Sequence, residues 1–330
     1  MTHKTLLLSQ SNIEGLIGLD EICDTVMETF HAHGAGRVTM PSKITLDINP
    51  VEHQAWMNAM PAYVAPLDAA GIKWAGGFVN NPKNHNLPYV MATIILNDPT
   101  TGQNLAVMDG VYITNARTGA AGAVSAHYTA RPDSSVVAII GAGVQARWTI
   151  RALKRYFPLR EVRSVDVRPE AAQAYAREIE AETGLRVVTM PTGDEAADGA
   201  DLIFTLTTAE IPLVSNDAIG PGTTVLSMGS YQELDDAFVL SADKILVDNM
   251  GQCMHRGELA HLVEAGRFSE ADVYAELGAV AAGLTPGRTS AEERILVVPI
   301  GLGSLDIAIA RKAYNRAAAA GGHQTFDFSS

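Results

Sequence analysis

Four charged side chains within the first 120 residues stand where charge is costly. Lys43 lies in MPSKITLDI. Lys73 lies in GIKWAGG, between Ile72 and Trp74. Asp109 lies in VMDG, and Arg117 in the Ala/Gly-rich ITNARTGAA. A lysine or arginine among apolar neighbours is expensive unless it is paired. Lys43, Lys73 and Arg117 are therefore candidates for binding a carboxylate, with arginine offering a two-pronged contact. A lysine whose pKa is lowered by burial also moves protons. Each has a plainer reading. Lys43 and Lys73 can face solvent from a strand, Arg117 can be a strut to Asp109 or to a helix end, and Asp109 can serve a turn. His53, His85, His127 and His255 are scattered with no partner visible in sequence, and Met57 and Met60 in WMNAMPAYV read as core.

A second constellation follows in IGAGVQARWTIRAL. Gly141, Gly143, Val144, Gln145 and Ala146 fit G-x-G-x-x-A after an apolar strand and at the opening of a helix, the context the dinucleotide fingerprint requires. Gly141 allows the tight turn, Gly143 lets the backbone approach a pyrophosphate, and Ala146 permits close helix-on-strand packing. The amides and dipole at the helix start then face the phosphates. Asp166 ends the next strand, VRSVDV. A carboxylate there accepts bonds from ribose hydroxyls and repels a 2′-phosphate, which favours NAD over NADP; Arg168, two residues on, acts the other way. Thr205 and Thr207 in DLIFTLT, and Ser227, Met228 and Gly229 in TTVLSMG, end further strands and are expected to line the cofactor. A flavin uses the same fingerprint, but nothing in the sequence suggests an isoalloxazine pocket.

These residues need elements to hold them. Residues 12–33 read as an amphipathic helix capped by Ser11 or Asn12, with Ile17, Ile22, Met27 and Phe30 on its apolar side. Strand-like runs then follow one another, RVTMPSKITLDI, HQAWMNAMPAYV, GIKWAGGFV, YVMATIILND and NLAVMDG, which implies a largely antiparallel sheet. ITNARTGAAGAVSAHYTA reads as a tightly packed helix. From Ser135 strands alternate with helices, through LRVVTM, DLIFTLT, TTVLSMG and KILVDN, as in a parallel sheet covered on both faces. LDIAIARKAYNRAAAAGG, after the parallel region, is a helix placed to return to the first domain. The expected architecture is α/β: a Rossmann-type parallel-sheet domain over 121–305, and a discontinuous α+β domain over 1–120 and 306–330.

Bulk properties narrow the function. The chain has 330 residues, 47% apolar and 18% charged, as expected of a folded protein with a large core. Its formal charge of −13 disfavours nucleic acid, which needs a basic footprint. No apolar run is long enough for a membrane span, and the patch in MTHKTLLLSQ is too short for a signal peptide. Cys23 and Cys253 form no CxxC pair and no Cys/His cluster has zinc spacing, which points to a reducing compartment, the cytoplasm, and no structural metal.

GIKWAGGFVNNPKNHNLPYVMATIILNDPTTGQNLAVMDGVYITNARTGAAGAVSAHYTA followed by VVAIIGAGVQARWTIRAL resembles the ornithine cyclodeaminase/mu-crystallin family, and the resemblance runs on to GLGSLDIAIARKAY. It implies a homodimer, a Rossmann domain beside a separate sheet domain for substrate and dimerisation, and NAD(P) chemistry at the α-carbon of an amino or imino acid. By position, Lys73 matches the family's active-site lysine and Arg117 the arginine that grips the substrate carboxylate. Thr118 matches a residue near the cofactor, and Asp306 in GSLD the acidic residue of the C-terminal motif. Lys73, Arg117 and Asp306 are thus the implied catalytic set. Two positions depart from the family. Lys43 stands where many members have arginine, which keeps the charge and loses the fork. Cyclodeaminases carry an aspartate after the glycine that closes a Rossmann strand; here Ser230 and Tyr231 follow Gly229, and Asp235 and Asp236 match a later ELDD segment.

The expected function is therefore an NADH-dependent imine reductase or amino-acid dehydrogenase acting on a small 2-imino acid. Lys43 as a second cation suggests iminosuccinate, giving aspartate. The alternatives are an ornithine or lysine cyclodeaminase, an alanine dehydrogenase, and a ketimine reductase or small-ligand binding protein like mu-crystallin.

Overall fold

The computed structural model describes residues 4–48, 55–229 and 231–328. His53 and Ser230 lie outside them. The chain divides into two compact units, Met1–Arg117 with Leu302–Ser330, and Thr118–Gly301.

The first unit is built on an eight-stranded sheet. It starts with β1 (Lys4–Leu8), followed by helices α1 (Gln10–Leu16) and α2 (Leu19–Gly34). The single helix expected over 12–33 is thus two. Ser9, not Ser11 or Asn12, is the first cap. Its Oγ accepts from the Asn12 amide at 3.3 Å and the Asn12 side chain accepts from the Ser9 amide at 3.1 Å, a reciprocal capping box. Ile17 and Gly18 are extended, and glycine is a poor helix former, so the chain breaks there.

Strands β2 (Val38–Thr39), β3 (Ile44–Ile48), β4 (Ala55–Val64), β5 (Ala69–Phe78), β6 (Val90–Asn97) and β7 (Asn104–Asp109) come next. β2 and β3 both pair β4, and β4 to β7 form an antiparallel meander. β1 lies parallel to β7, and the C-terminal strand Thr325–Asp327 lies antiparallel to β1. Neither of these two strands stood out in the sequence. One sheet face alternates Met60, Ala62, Lys73, Ala75, Ile94, Leu96, Ala106 and Met108, all buried. The C-terminal helix, Gly303–Ala320, packs on β4 and β5 and on α2. It starts very close to the sheet: a Cβ on Gly303 would stand 2.9 Å from the Met60 carbonyl oxygen. The other face carries Ile44, Leu46, Trp74 and Met91, which are 71%, 52%, 39% and 39% exposed.

The chain leaves this unit within α3 (Val111–Thr129). The second unit holds β8 (Val136–Ile140), α4 (Val144–Leu153), β9 (Glu161–Val165), α5 (Pro169–Thr183), β10 (Arg186–Thr189), β11 (Leu202–Thr205), β12 (Thr224–Ser227), β13 (Lys244–Val247), β14 (Ala275–Glu276) and β15 (Ile295–Val298). The sheet order is β10-β9-β8-β11-β12-β15-β13-β14, and every pairing between these strands is parallel. β15, not expected from the sequence, inserts between β12 and β13. The fold is α/β, with a Rossmann-type sheet and a separate, largely antiparallel sheet closed by the C-terminal helix. The parallel order reverses between β8 and β11, and the crevice beyond the carboxyl ends of such strands is where doubly wound sheets bind ligands. Among the described residues no helix is long and apolar enough to cross a membrane.

Candidate active site

In the first unit, β5, α3 and the C-terminal helix bring three charged residues together. Lys73 sits mid-strand on the covered face, and its register partners Met60 and Ile94 flank it. The period of two that turns Trp74 outward turns Lys73 inward. Its side chain is 1% exposed, with Nζ 2.8 Å from Oδ2 of Asp306, itself 0% exposed. Arg117 Nε donates to Oδ1 of the same carboxylate at 3.1 Å. That contact leaves the two terminal amino groups of the guanidinium outside it. Arg117 is no strut to Asp109. Asp109 caps α3 instead, accepting from the amide of Val111 at 3.0 Å.

The cluster holds two cations and one carboxylate, a formal charge of 2 − 1 = +1 in a buried place. Burial pulls the Lys73 ammonium down to about 8; the charge of Arg117 acts the same way, and Asp306 opposes both. Lys73 therefore titrates within reach of neutral pH, which suits a group that gives or takes a proton.

Lys43 lies just before β3 and is half-buried. One step beyond the Ile44↔Ala59 register it stands level with Met60, which pairs with Lys73. Thr45, two residues on and on the same face, donates to the side chain of buried Asn58 at 2.7 Å. Lys43 itself precedes the strand; the period of two continued back from Thr45 assigns it to the covered face.

In the second unit the glycine turn lies between β8 and α4. Gly141 has φ +104°, and a Cβ there would meet the Leu206 carbonyl oxygen and the Thr207 methyl, both at 2.9 Å. Only glycine takes this conformation in this space. Above Gly143 a Cβ would meet nothing within 4 Å, and Val144 is half exposed. The residue at the start of α4, Gly143, has no side chain to cap the helix. Open space, a glycine at the helix start and small residues fit a pyrophosphate. Asp166 accepts from the Ala142 amide at 3.0 Å and from the Arg168 amide at 2.9 Å. It therefore fixes the turn, with one carboxylate oxygen on each of these amides. Arg168 is exposed, with Nε 3.5 Å from Asp166. Gln145 and Thr118 are half-buried, as are Thr207, Met228 and Gly229 at the ends of β11 and β12. Thr205 is fully buried. Ser227 is also buried, and its hydroxyl donates to Glu258 at 3.1 Å, so its side chain is committed to the interior.

Several residues of this region carry no signal that the sequence reading used. Glu233 accepts from the Thr207 amide at 2.8 Å and from the Thr207 hydroxyl at 2.6 Å. Glu258 accepts from the amides of Glu233 and Leu234. Burial pushes both carboxyls up to about 7. Only the QELDD context singles out Glu233. Asp235 caps a helix at Ala237 and Asp236 pairs with His261 and Arg267, so both have structural partners. In the first unit His33, held down near 4 by burial, lies 2.8 Å from Ser304 Oγ in the first turn of the C-terminal helix. His127 stacks with Tyr156. Both cysteines are buried and neither is in a disulfide. Among the described residues no group of three or more His, Cys, Asp or Glu could hold a metal ion.

The family model described as the ornithine cyclodeaminase/mu-crystallin family matches residues 3–321. An archaeal alanine dehydrogenase dimer with bound NAD superposes with a TM-score of 0.92 at 37% identity, over 98% of this chain and 99% of that one. The Δ1-pyrroline-2-carboxylate reductase of Thermococcus litoralis, in complex with NADH and L-proline, gives 0.92 at 32% identity, over 97% and 99%. The iminosuccinate reductase of Paracoccus denitrificans, in complex with NAD+, gives 0.88 at 30% identity, over 98% and 100%.

Proposed function

The chain belongs to the ornithine cyclodeaminase/mu-crystallin family, and on that premise we propose that it reduces a small 2-imino acid with NADH. It is an NAD-linked oxidoreductase of the class that acts on C=N and CH–NH2 bonds. The observation that carries the substrate class is the surplus positive charge of the Lys73–Arg117–Asp306 cluster. A buried cation without a counterion is costly, and a substrate carboxylate supplies the missing charge.

Arg117 and Lys73 take the α-carboxylate, with Asp306 fixing both cations in place. Lys73 Nζ carries three protons and so can face both the carboxylate and the adjacent imine nitrogen, to which it gives one proton. The cofactor, when bound on the Gly141–Gly143 turn, supplies a hydride to the imine carbon. Imine, hydride and proton together give the amine and oxidised cofactor. Orientation by paired charges in a closed, low-dielectric place is the main contribution of the protein. Lys43, assigned to the same covered face as Lys73, supports a second carboxylate on the substrate, hence iminosuccinate reduced to aspartate. The exposed apolar face of the first sheet supports assembly into a homodimer.

The test is oxidation of NADH with freshly generated iminosuccinate, in parallel with pyruvate plus ammonia and with ornithine. Turnover of iminosuccinate is expected. Turnover only with pyruvate and ammonia replaces the reading by alanine dehydrogenase, which the identity to the archaeal enzyme favours as second reading. Proline formed from ornithine without net NADH consumption replaces it by a cyclodeaminase.

A further inference from the structure

Arg147, in the first turns of α4, folds back on the start of its own helix. Its Nη1 donates to the carbonyl oxygens of Ala142 and Gly143, both at 2.9 Å. Its Nε donates to Glu178 of α5 at 2.7 Å, and its guanidinium carbon lies 5.5 Å from the ring centroid of Tyr175. The side chain is thus held at one end by α5 and grips two successive peptide carbonyls of the glycine turn with the other.

This grip has a geometric consequence. A peptide unit is planar and trans, so its N–H points opposite to its C=O. Fixing the Ala142 carbonyl fixes the Gly143 N–H, and fixing the Gly143 carbonyl fixes the Val144 N–H, both on the side away from the guanidinium. These are amides of the helix start, beside the open space over Gly143. Glycine has the largest conformational freedom to lose, so a clamp on this segment removes an ordering cost from ligand binding. The electrostatics point the same way. A cation at a helix N-terminus opposes the dipole, which makes Arg147 a poor choice for stabilising the helix alone and a good one for a helix that receives an anion.

We infer that Arg147 is a positioning residue for the dinucleotide pyrophosphate: it presets the Gly143 and Val144 amides by clamping the carbonyls behind them. This rests on the reading of the turn as the NAD site. The role belongs to donor geometry more than to charge, since one guanidinium nitrogen serves two acceptors while Nε is anchored on Glu178. Lysine, a point charge on a flexible stem, does not reproduce it.

The experiment compares the wild type with Arg147→Met, Arg147→Lys and Glu178→Gln. Affinities for NADH, ADP and adenosine are measured at low and high salt, with thermal melting as the folding control. Arg147→Met should weaken NADH and ADP by about tenfold through lost preorganisation and leave adenosine unchanged. Arg147→Lys should not restore the loss, and the loss should persist at high salt, where a long-range charge effect is screened. Glu178→Gln keeps the guanidinium and frees its anchor, and should give a smaller loss with the same ligand pattern. Equal weakening of adenosine, full rescue by lysine, or a loss that disappears at high salt would each overturn the clamp. So would unchanged NADH affinity in Arg147→Met. Failure of the wild type to bind NADH or ADP is a distinct result: it removes the cofactor reading, and this inference with it.

Discussion

Lys73 and Asp306 meet at 2.8 Å with almost no solvent on either side chain. They come from the two separate chain segments of the first unit, one from the middle of a strand and the other from the first turn of the last helix. Arg117 shares the carboxylate. The pairing explains how a lysine is held in an apolar sheet face and why it still titrates near neutrality. Desolvation and Arg117 disfavour the ammonium, and Asp306 limits the fall to about 8.

The pH dependence follows from that balance. On the proposed function Lys73 is the acid in the reductive direction, so the protonated form is the active one. kcat/KM, which reports the free enzyme, should be flat below about 8 and fall above it. In the oxidative direction the free amine is needed and the limb inverts. Lys73→Met should lower kcat by about 10²–10⁴-fold, the range for loss of a general acid. Asp306→Asn removes the one anion from two buried cations. The alkaline limb should then move to lower pH, and the variant should melt earlier. Initial rates across the pH range in both directions check this, and a profile unchanged in Asp306→Asn would refute the assignment.

Lys43 decides between one carboxylate and two. If it holds the distal carboxylate, Lys43→Met should lower kcat/KM for iminosuccinate by about 10–100-fold, the worth of a hydrogen bond to a charged group. Turnover of a monocarboxylic 2-imino acid should change little. The comparison is a ratio of two substrates on one variant, so a general loss of folded enzyme cancels. Equal losses on both substrates would remove Lys43 from specificity.

How much of this site was legible follows from which interactions are local. The glycine turn was legible because each of its residues answers to a backbone requirement, and Gly141 at φ +104° is the clearest case. Lys73 was legible as a charge in an apolar run, yet its facing depended on sheet register and on the helix laid over it. Asp306 had no local signal, since its partners are 233 and 189 positions away (306 − 73 and 306 − 117); only the family resemblance singled it out. Arg147 looked like an ordinary helix residue, because its acceptors lie behind it in the turn and its anchor on another helix. β1, β15 and the C-terminal strand were missed for a similar reason. They are short runs whose strand character comes from the neighbours they pair with.

The exposed face of the first sheet gives a prediction about assembly. Ile44, Leu46, Trp74 and Met91 lie on the face opposite the C-terminal helix. A contiguous apolar patch is the usual mark of an interface, and in the proposed homodimer a second copy would cover this face. Trp74→Glu should shift the protein from dimer to monomer in sedimentation, while Lys73 on the other face stays buried. A wild type that sediments as a monomer at micromolar concentration contradicts the dimer.

Glu233 and Glu258 make a last prediction, on stability. Burial raises both carboxyls from about 4.5 to about 7 in the folded protein. Below 4.5 both are protonated whether the chain is folded or not. As pH rises from 4.5 to 7 the unfolded chain loses these protons while the folded unit retains them. The native state then holds more protons than the unfolded one, and stability falls across this window and stays reduced above it. Glu233→Gln has no proton to lose there. Its amide oxygen can still accept from the Thr207 amide and hydroxyl, as Glu233 Oε1 does. The melting temperature of Glu233→Gln relative to the wild type should therefore climb between pH 5 and 7 and level off above. Each pKa unit corresponds to about 1.4 kcal/mol, and about 2–4 °C of melting temperature follows each kcal/mol in a domain of this size, so the relative gain amounts to several degrees. Thermal melts of both proteins across the window measure it. A constant difference at all pH values would mean that Glu233 is ionised in the folded protein throughout, and that the Thr207 loop rests on a charge and not on a neutral acid.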